Sequence, residues 1–166
     1  MTLSEMLGFT CTVDTYHIAF AFMGKENIDH YEWVLGQLAE LYAKVGKRPE
    51  TLVTDRDIAE MNAINELFPD AQHLLCWVHI MRNCVSYAMG LGMPEGTSWR
   101  FAKKCRDMFS STTMTEYRDR LDIIKKKCKP ALYNYLQKVW LRPYHDRIVR
   151  VFNDHRLTLF TRTTNR

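Results

Sequence analysis

Three groups of residues in this sequence have the types and spacing to do chemistry. The first is Thr54-Asp55-Arg56-Asp57, which closes the short apolar run Thr51–Thr54. An aspartate at the carboxyl end of a strand stands where open α/β folds gather their ligands. Its hard oxygens suit Mg²⁺ or Mn²⁺. The plainer alternative is that Asp55 or Asp57 caps the helix that follows. The second group is Cys76-Trp77-Val78-His79. Such a pair could give two zinc ligands, but a structural zinc needs four, and neither His73 nor Cys84 completes a familiar spacing. Zinc is therefore not expected, and packing at a strand-to-helix junction is the simpler reading. The third group is cationic: Lys125, Lys126, Lys127 and Lys129, then Arg142, Arg147, Arg150 and Arg156. Runs of this kind are usually solvated helix faces, compatible with phosphate contact without demonstrating it. The sequence has no helix-turn-helix signal, paired Cys/His finger, Gly-rich phosphate loop or G-x-S-x-G elbow.

The elements that must hold these groups change in character along the chain. Between Gly8 and Met23, Phe9, Cys11 and Val13 alternate with polar residues and a second run follows in Tyr16–Phe22. This predicts two strands joined by a turn near Asp14 and Thr15. Asp29 with Glu32 three residues on predicts a helix N-terminus. Tyr31, Val34, Leu35, Leu38, Leu41, Tyr42 and Val45 then form an apolar stripe, stopped by Gly46 and Pro49. After the strand at Thr51–Thr54 comes a helix whose inward face is expected to be Ile58, Met61, Ile64 and Leu67. His73–Val78 is a further apolar run, followed by a helix through Met89. The order β-β-α-β-α-β-α predicts an α/β fold with an open mixed sheet covered by helices. Gly90–Gly96 is the expected boundary, dividing the chain into residues 1–90 and 91–166. Beyond it, Ser98–Phe109, Thr115–Lys127 and Pro130–Trp140 read as helices, continuing from Trp140 to Phe152 after a break at Pro143.

Bulk properties narrow the classes. A chain of 166 residues, 46% hydrophobic and 25% charged, can bury a core and is not disordered by composition. Its net charge of +4 is a mild bias toward polyanions. Cys11, Cys76, Cys84, Cys105 and Cys128 form no regular framework, which suggests reduced thiols. No stretch has the length or flanks of a signal peptide or a membrane span.

Several of these segments, in this order, resemble the Mutator-like (MULE) transposase domain. In GFTCTVDTYHIAFAFMGKENIDHYEWVLGQL, two strands lead to an acidic residue, Glu26, and then to Tyr31 and Trp33. In TLVTDRDIAEMNAINELFPDAQHLLCWVHIMRNC, Thr54-Asp55 is followed by Phe68-Pro69-Asp70-Ala71, Cys76, His79 and Arg82-Asn83. The tail from Trp140 to Thr163-Thr164-Asn165-Arg166 resembles a later segment of the family.

The resemblance implies an RNase H-like fold bearing a DDE triad, three carboxylates holding two divalent metals for phosphodiester cleavage and strand transfer. Asp55 matches the second carboxylate and would be both catalytic and a Mg²⁺ or Mn²⁺ ligand. Thr54, Cys76, His79 and Asn83 are the accompanying motif residues. The family's first Asp is expected before the segment that opens this chain, and its Glu just beyond Arg166. Asp14 falls at a turn and is not assigned, while Glu116 is a weak candidate more simply read as a first-turn residue. The chain is accordingly expected to be an internal fragment, inactive alone: an incomplete RNase H-like mixed sheet in 1–90, and in 91–166 a helical insertion with the start of the return to the core. DNA, as transposon end and target, is the implied partner, and the nucleus the implied location. Two rival readings stand beside this one. One is a domesticated, non-enzymatic DNA-associated or transcription-regulatory protein; the other is a small α/β domain stabilised by zinc at Cys76 and His79.

Overall fold

A computed structural model describes residues 1–9 and 14–153. The fold is mixed α/β and mostly helical, in the order β1 (Thr2–Phe9), β2 (Thr15–Met23), α1 (Ile28–Lys44), β3 (Thr51–Thr54), α2 (Ile58–Leu67), β4 (Gln72–Leu75), α3 (Trp77–Gly90), α4 (Glu95–Phe109), α5 (Met114–Lys127), α6 (Pro130–Tyr135) and α7 (Arg142–Ile148). The chain packs as two units. The first holds Met1–Leu52 and Arg56–Ala71, the second Val53–Asp55 and Gln72–Arg166.

In the first unit β1 and β2 form an antiparallel hairpin, from Thr2 opposite Met23 to Phe9 opposite Thr15. The pairing slips between Met6 and Leu7, where Ile18 is the extra residue on β2. The first strand thus begins well before the Phe9–Val13 run that alternation suggested. Residues 10–13, with Cys11 among them, lie outside the described residues. The Leu3-Ser4-Glu5-Met6-Leu7 part of the strand has no regular alternation to mark it, and the Phe9–Val13 run falls mostly outside the described residues.

Helix α1 starts two residues earlier than Asp29 suggested. Asn27 is its N-cap, accepting the His30 backbone N–H at 3.2 Å, and Asp29 lies in the first turn. Asn27 competes well because its amide oxygen reaches the second or third helical N–H and so satisfies an orphan donor. The far end closes as expected: Gly46 takes φ +64°, a left-handed conformation that glycine adopts without strain, and the Lys47 N–H returns to the Tyr42 carbonyl at 3.1 Å. Tyr31, Val34, Leu35 and Leu38 pack with Met23, Ala63, Ile64 and Phe68 as the core of this unit. On α2 the inward face is Met61, Ala63 and Ile64. Ile58, expected to point inward, is 57% exposed, because the helix begins there and its first turn overhangs the core.

The second unit is built around α3, α4 and α5, which bury Ile80, Cys84, Ala88, Phe101, Ala102, Cys105, Met108, Phe109 and Ile124. Helices α3 and α4 pack on one another through the Leu91–Pro94 link, where Gly92 takes φ +76°. The helices α4 and α5 begin earlier than Ser98 and Thr115, at Glu95 and Met114, with Pro94 and Thr113 at their N-caps. From Pro130 the chain is helical to Ile148, but Leu136–Leu141 widens into a π-helical turn that buries Leu136, Trp140 and Leu141 together. Tyr144 after Pro143 leaves helical geometry (φ −140°, ψ 21°), the break expected at the proline. A short 3₁₀ turn, Arg150–Phe152, follows. Among the described residues the strands pair as two two-stranded sheets, β1 with β2 and β3 with β4, rather than as the single mixed sheet expected from the element order. Among the described residues, the short strands β3 and β4, four residues each, pair with one another.

The helix α2 separates two kinds of isoleucine and so gives a direct test of this packing. Truncating Ile64, 1% exposed, is expected to cost about 2–4 kcal/mol. Ile58→Ala should stay within about 0.5 kcal/mol of wild type in urea unfolding.

Candidate functional site

The site is the joint where β3 and β4 end and α3 begins. Cys76, the N-cap of α3, donates its backbone N–H to the Thr54 carbonyl at 2.7 Å, which sets the carboxyl ends of the two strands side by side. Asp55, next along, is exposed at this strand end. The helix-capping role belongs elsewhere: Asp57 is the N-cap of α2, its carboxylate accepting the Ala59 and Glu60 N–H groups at 2.8 and 3.0 Å. Of the two aspartates weighed as caps, only Asp57 is one.

Behind Thr54 runs a chain of hydrogen bonds with a single consistent direction. Arg147 approaches His73 Nδ1 at 3.1 Å, and a guanidinium only donates, so Nδ1 carries the lone pair and Nε2 the proton. His73 Nε2 then donates to Thr54 Oγ1 at 2.8 Å, and that hydroxyl donates to the Asp55 carbonyl at 2.9 Å. Burial of the ring, and secondarily the Arg147 charge, push the His73 pKa down to about 4. The neutral imidazole is therefore the working state of this relay at neutral pH. Arg147 itself is delivered by the last helix, which is pinned to the same strand and to α3. Trp77 Nε1 donates to the Ile148 carbonyl at 2.8 Å, and Gln72 Nε2 reaches the Asn153 carbonyl and side-chain oxygens at 3.3 and 3.2 Å.

The other motif residues form a stripe on α3. Cys76 is half-buried, while His79 and Asn83, three and seven residues on, are exposed on the same side of the helix. Glu116 is placed apart from them, in the first turn of α5. Its N–H is capped by Thr113 Oγ1 at 3.1 Å, and its carboxylate accepts the Thr112 N–H at 2.8 Å and pairs with Arg120 at 2.5 Å. These contacts use it as a capping residue. Among the described residues, no group of three or more His, Cys, Asp or Glu is placed to hold a metal ion. The joint thus offers a divalent cation one hard-oxygen carboxylate, Asp55, which falls short of the donor set of a two-metal centre.

A family model described as the MULE transposase domain matches residues 1–83, half of the chain. The chain belongs to the MULE transposase domain family. The matched part contains Thr54, Asp55, Cys76, His79 and Asn83, so the whole strand-end joint lies within the MULE domain. The resembling tail, Trp140 onward, lies outside the match, and residues 154–166, with Arg156 and the terminal Thr-Thr-Asn-Arg, are also outside the described residues. A search of curated proteins gives no match. Sequence reasoning missed the part that His73 and Arg147 play behind Thr54. A histidine heading an otherwise apolar strand was the available signal for His73. Arg147, distant in sequence, carried none.

Two measurements test the joint. Asp57→Ala is expected to cost about 1 kcal/mol through the lost cap, by urea unfolding at pH 7. By NMR the His73 ring should titrate with a midpoint near 4, and Arg147→Met should raise it. A pKa lowered on folding means that the His73 contribution to stability is complete above pH 6.5 and is lost as pH falls toward 4. A midpoint at 6 or above would contradict the buried, neutral assignment.

Proposed function

We propose that this chain is a DNA-acting domain of transposase descent, in which Asp55 is one carboxylate of a DDE-type Mg²⁺ or Mn²⁺ site, and that it is catalytically silent alone. The observation that carries the reading is Asp55 itself: it sits within the family match, at an exposed strand end, and its backbone carbonyl accepts the Thr54 hydroxyl. A strand-end carboxylate is suited to metal-assisted phosphodiester chemistry. One carboxylate does not position two metals, which is the ground for expecting no strand transfer. In this reading, suggested by the family match and the β-β-α-β-α-β-α element order, 1–90 is an incomplete RNase H-like core and 91–166 the helical insertion and the start of the return. DNA is the partner and the nucleus the place of action in this reading, and no helix among the described residues is long and apolar enough to cross a membrane. The non-enzymatic alternative, a domesticated DNA-associated or regulatory protein, draws on the same single carboxylate.

The test is a supercoiled-plasmid assay with Mn²⁺, paired with Mn²⁺-induced broadening of backbone amide resonances. Wild type and Asp55→Asn are expected to nick equally little, while broadening centred on Thr54–Arg56 appears in wild type and vanishes in Asp55→Asn. Nicking that depends on Asp55 would overturn catalytic silence. Broadening that ignores the substitution would overturn the metal assignment.

A further inference from the structure

The modest net charge conceals a sharp division. The first unit carries 5 Lys and Arg against 11 Asp and Glu, a formal −6. The second carries 18 against 8, a formal +10, and the two give the +4 of the whole chain. Charge segregation of this size points to a polyanion for the second unit alone.

Within that unit the cations gather on one pair of helices. Arg100, Lys103 and Lys104 follow one another at helical spacing on α4. Lys104 Nζ lies 3.9 Å from Cys128 Sγ, which brings this stripe beside the end of α5, where Lys125, Lys126, Lys127 and Lys129 stand exposed. The helices are fastened there: Arg120 of α5 donates to Ser110 Oγ at 3.2 Å and to the Asp107 carbonyl. Among the described residues the ion pairs of this unit use Lys126 with Asp122, Arg106 with Asp107 and Arg120 with Glu116, and none uses Lys103, Lys125, Lys127 or Lys129. The C-terminal dipole of α5 accounts for lysines in its last turn, but not for Arg100 and Lys103, which lie in the middle of α4. Like charges held together this way repel, and the negative charge of a phosphate backbone relieves that repulsion while its counterions are released.

We infer that the α4–α5 lysine face of the second unit is a duplex-DNA backbone-binding surface. It lies outside the family-matched residues 1–83 and deepens the DNA-acting reading on which it rests. Binding is through phosphates, so it is salt-dependent and indifferent to base sequence.

The experiment measures binding of the full chain to a 20-base-pair duplex as a function of salt. The triple variant Lys103→Gln/Lys125→Gln/Lys127→Gln is compared with Lys25→Gln/Lys44→Gln/Lys47→Gln, which removes the same charge from the acidic unit. The first triple is expected to lower the slope of log K against log salt by about 3 and weaken binding more than tenfold. The second should leave both unchanged, and thermal melts should show all proteins folded. Wild-type binding that the first triple leaves intact would overturn the lysine face while sparing the DNA reading. Absence of wild-type binding at low salt would overturn both. Tighter wild-type binding to a single-stranded RNA of equal length, lost in the same triple, would overturn the duplex assignment.

Discussion

The single hydrogen bond from the Cys76 N–H to the Thr54 carbonyl fixes where two strands end and where α3 begins, and the rest of the site is arranged about it. A strand of four residues has little pairing of its own to hold its tip. Here the tip is held from two sides, by the α3 N-cap on the backbone and by His73 on the Thr54 side chain. Because the Thr54 hydroxyl is engaged by both His73 and the Asp55 carbonyl, the peptide that carries Asp55 has a defined orientation although its side chain faces water. Rigid support beneath an exposed polar residue is what the metal-binding role proposed for Asp55 would require.

His73 shows how burial can serve polarity. Taking an imidazole out of water favours its neutral form, and the nearby guanidinium favours it again. The neutral ring has one donor and one acceptor, and both are used. A protonated ring would present two donors and face Arg147 with like charge. The relay therefore depends on the helix that brings Arg147, seventy-four residues away in sequence.

What was legible in the sequence was local. The stripe of α1, its stop at Gly46, the Thr54-Asp55 strand end and the start of α3 near Cys76 all follow from periodicity and from the chemistry of caps and turns. Misreadings came where two local signals compete or where none is present. Asn27 and Asp29 are both good caps, and the side chain that reaches the right N–H wins. Leu3–Leu7 carries no regular alternation, so the early part of the Thr2–Phe9 strand gave no signal. Ile58 has the right residue type and spacing for the core but stands at the first position of its helix, beyond the packed layer. Within the site, the strand end that carries Asp55 was legible, but which of Asp55 and Asp57 caps α2 was not, since that rests on backbone geometry after Thr54. The Arg147–His73 contact is long-range and leaves no trace in spacing at all.

The division of charge between the two units has a kinetic consequence. A uniformly basic protein meets a polyanion in any orientation and must then search for a productive one. In this chain the acidic first unit adds repulsion from a polyanion and the basic second unit adds attraction, so each unit feels a force of its own sign. Encounters are thus filtered by sign before any surface touches, and the filter fades once the ionic atmosphere grows thinner than the molecule. Orientation is in this sense written into the order of the sequence, acidic residues early and basic residues late, ahead of any fitted contact.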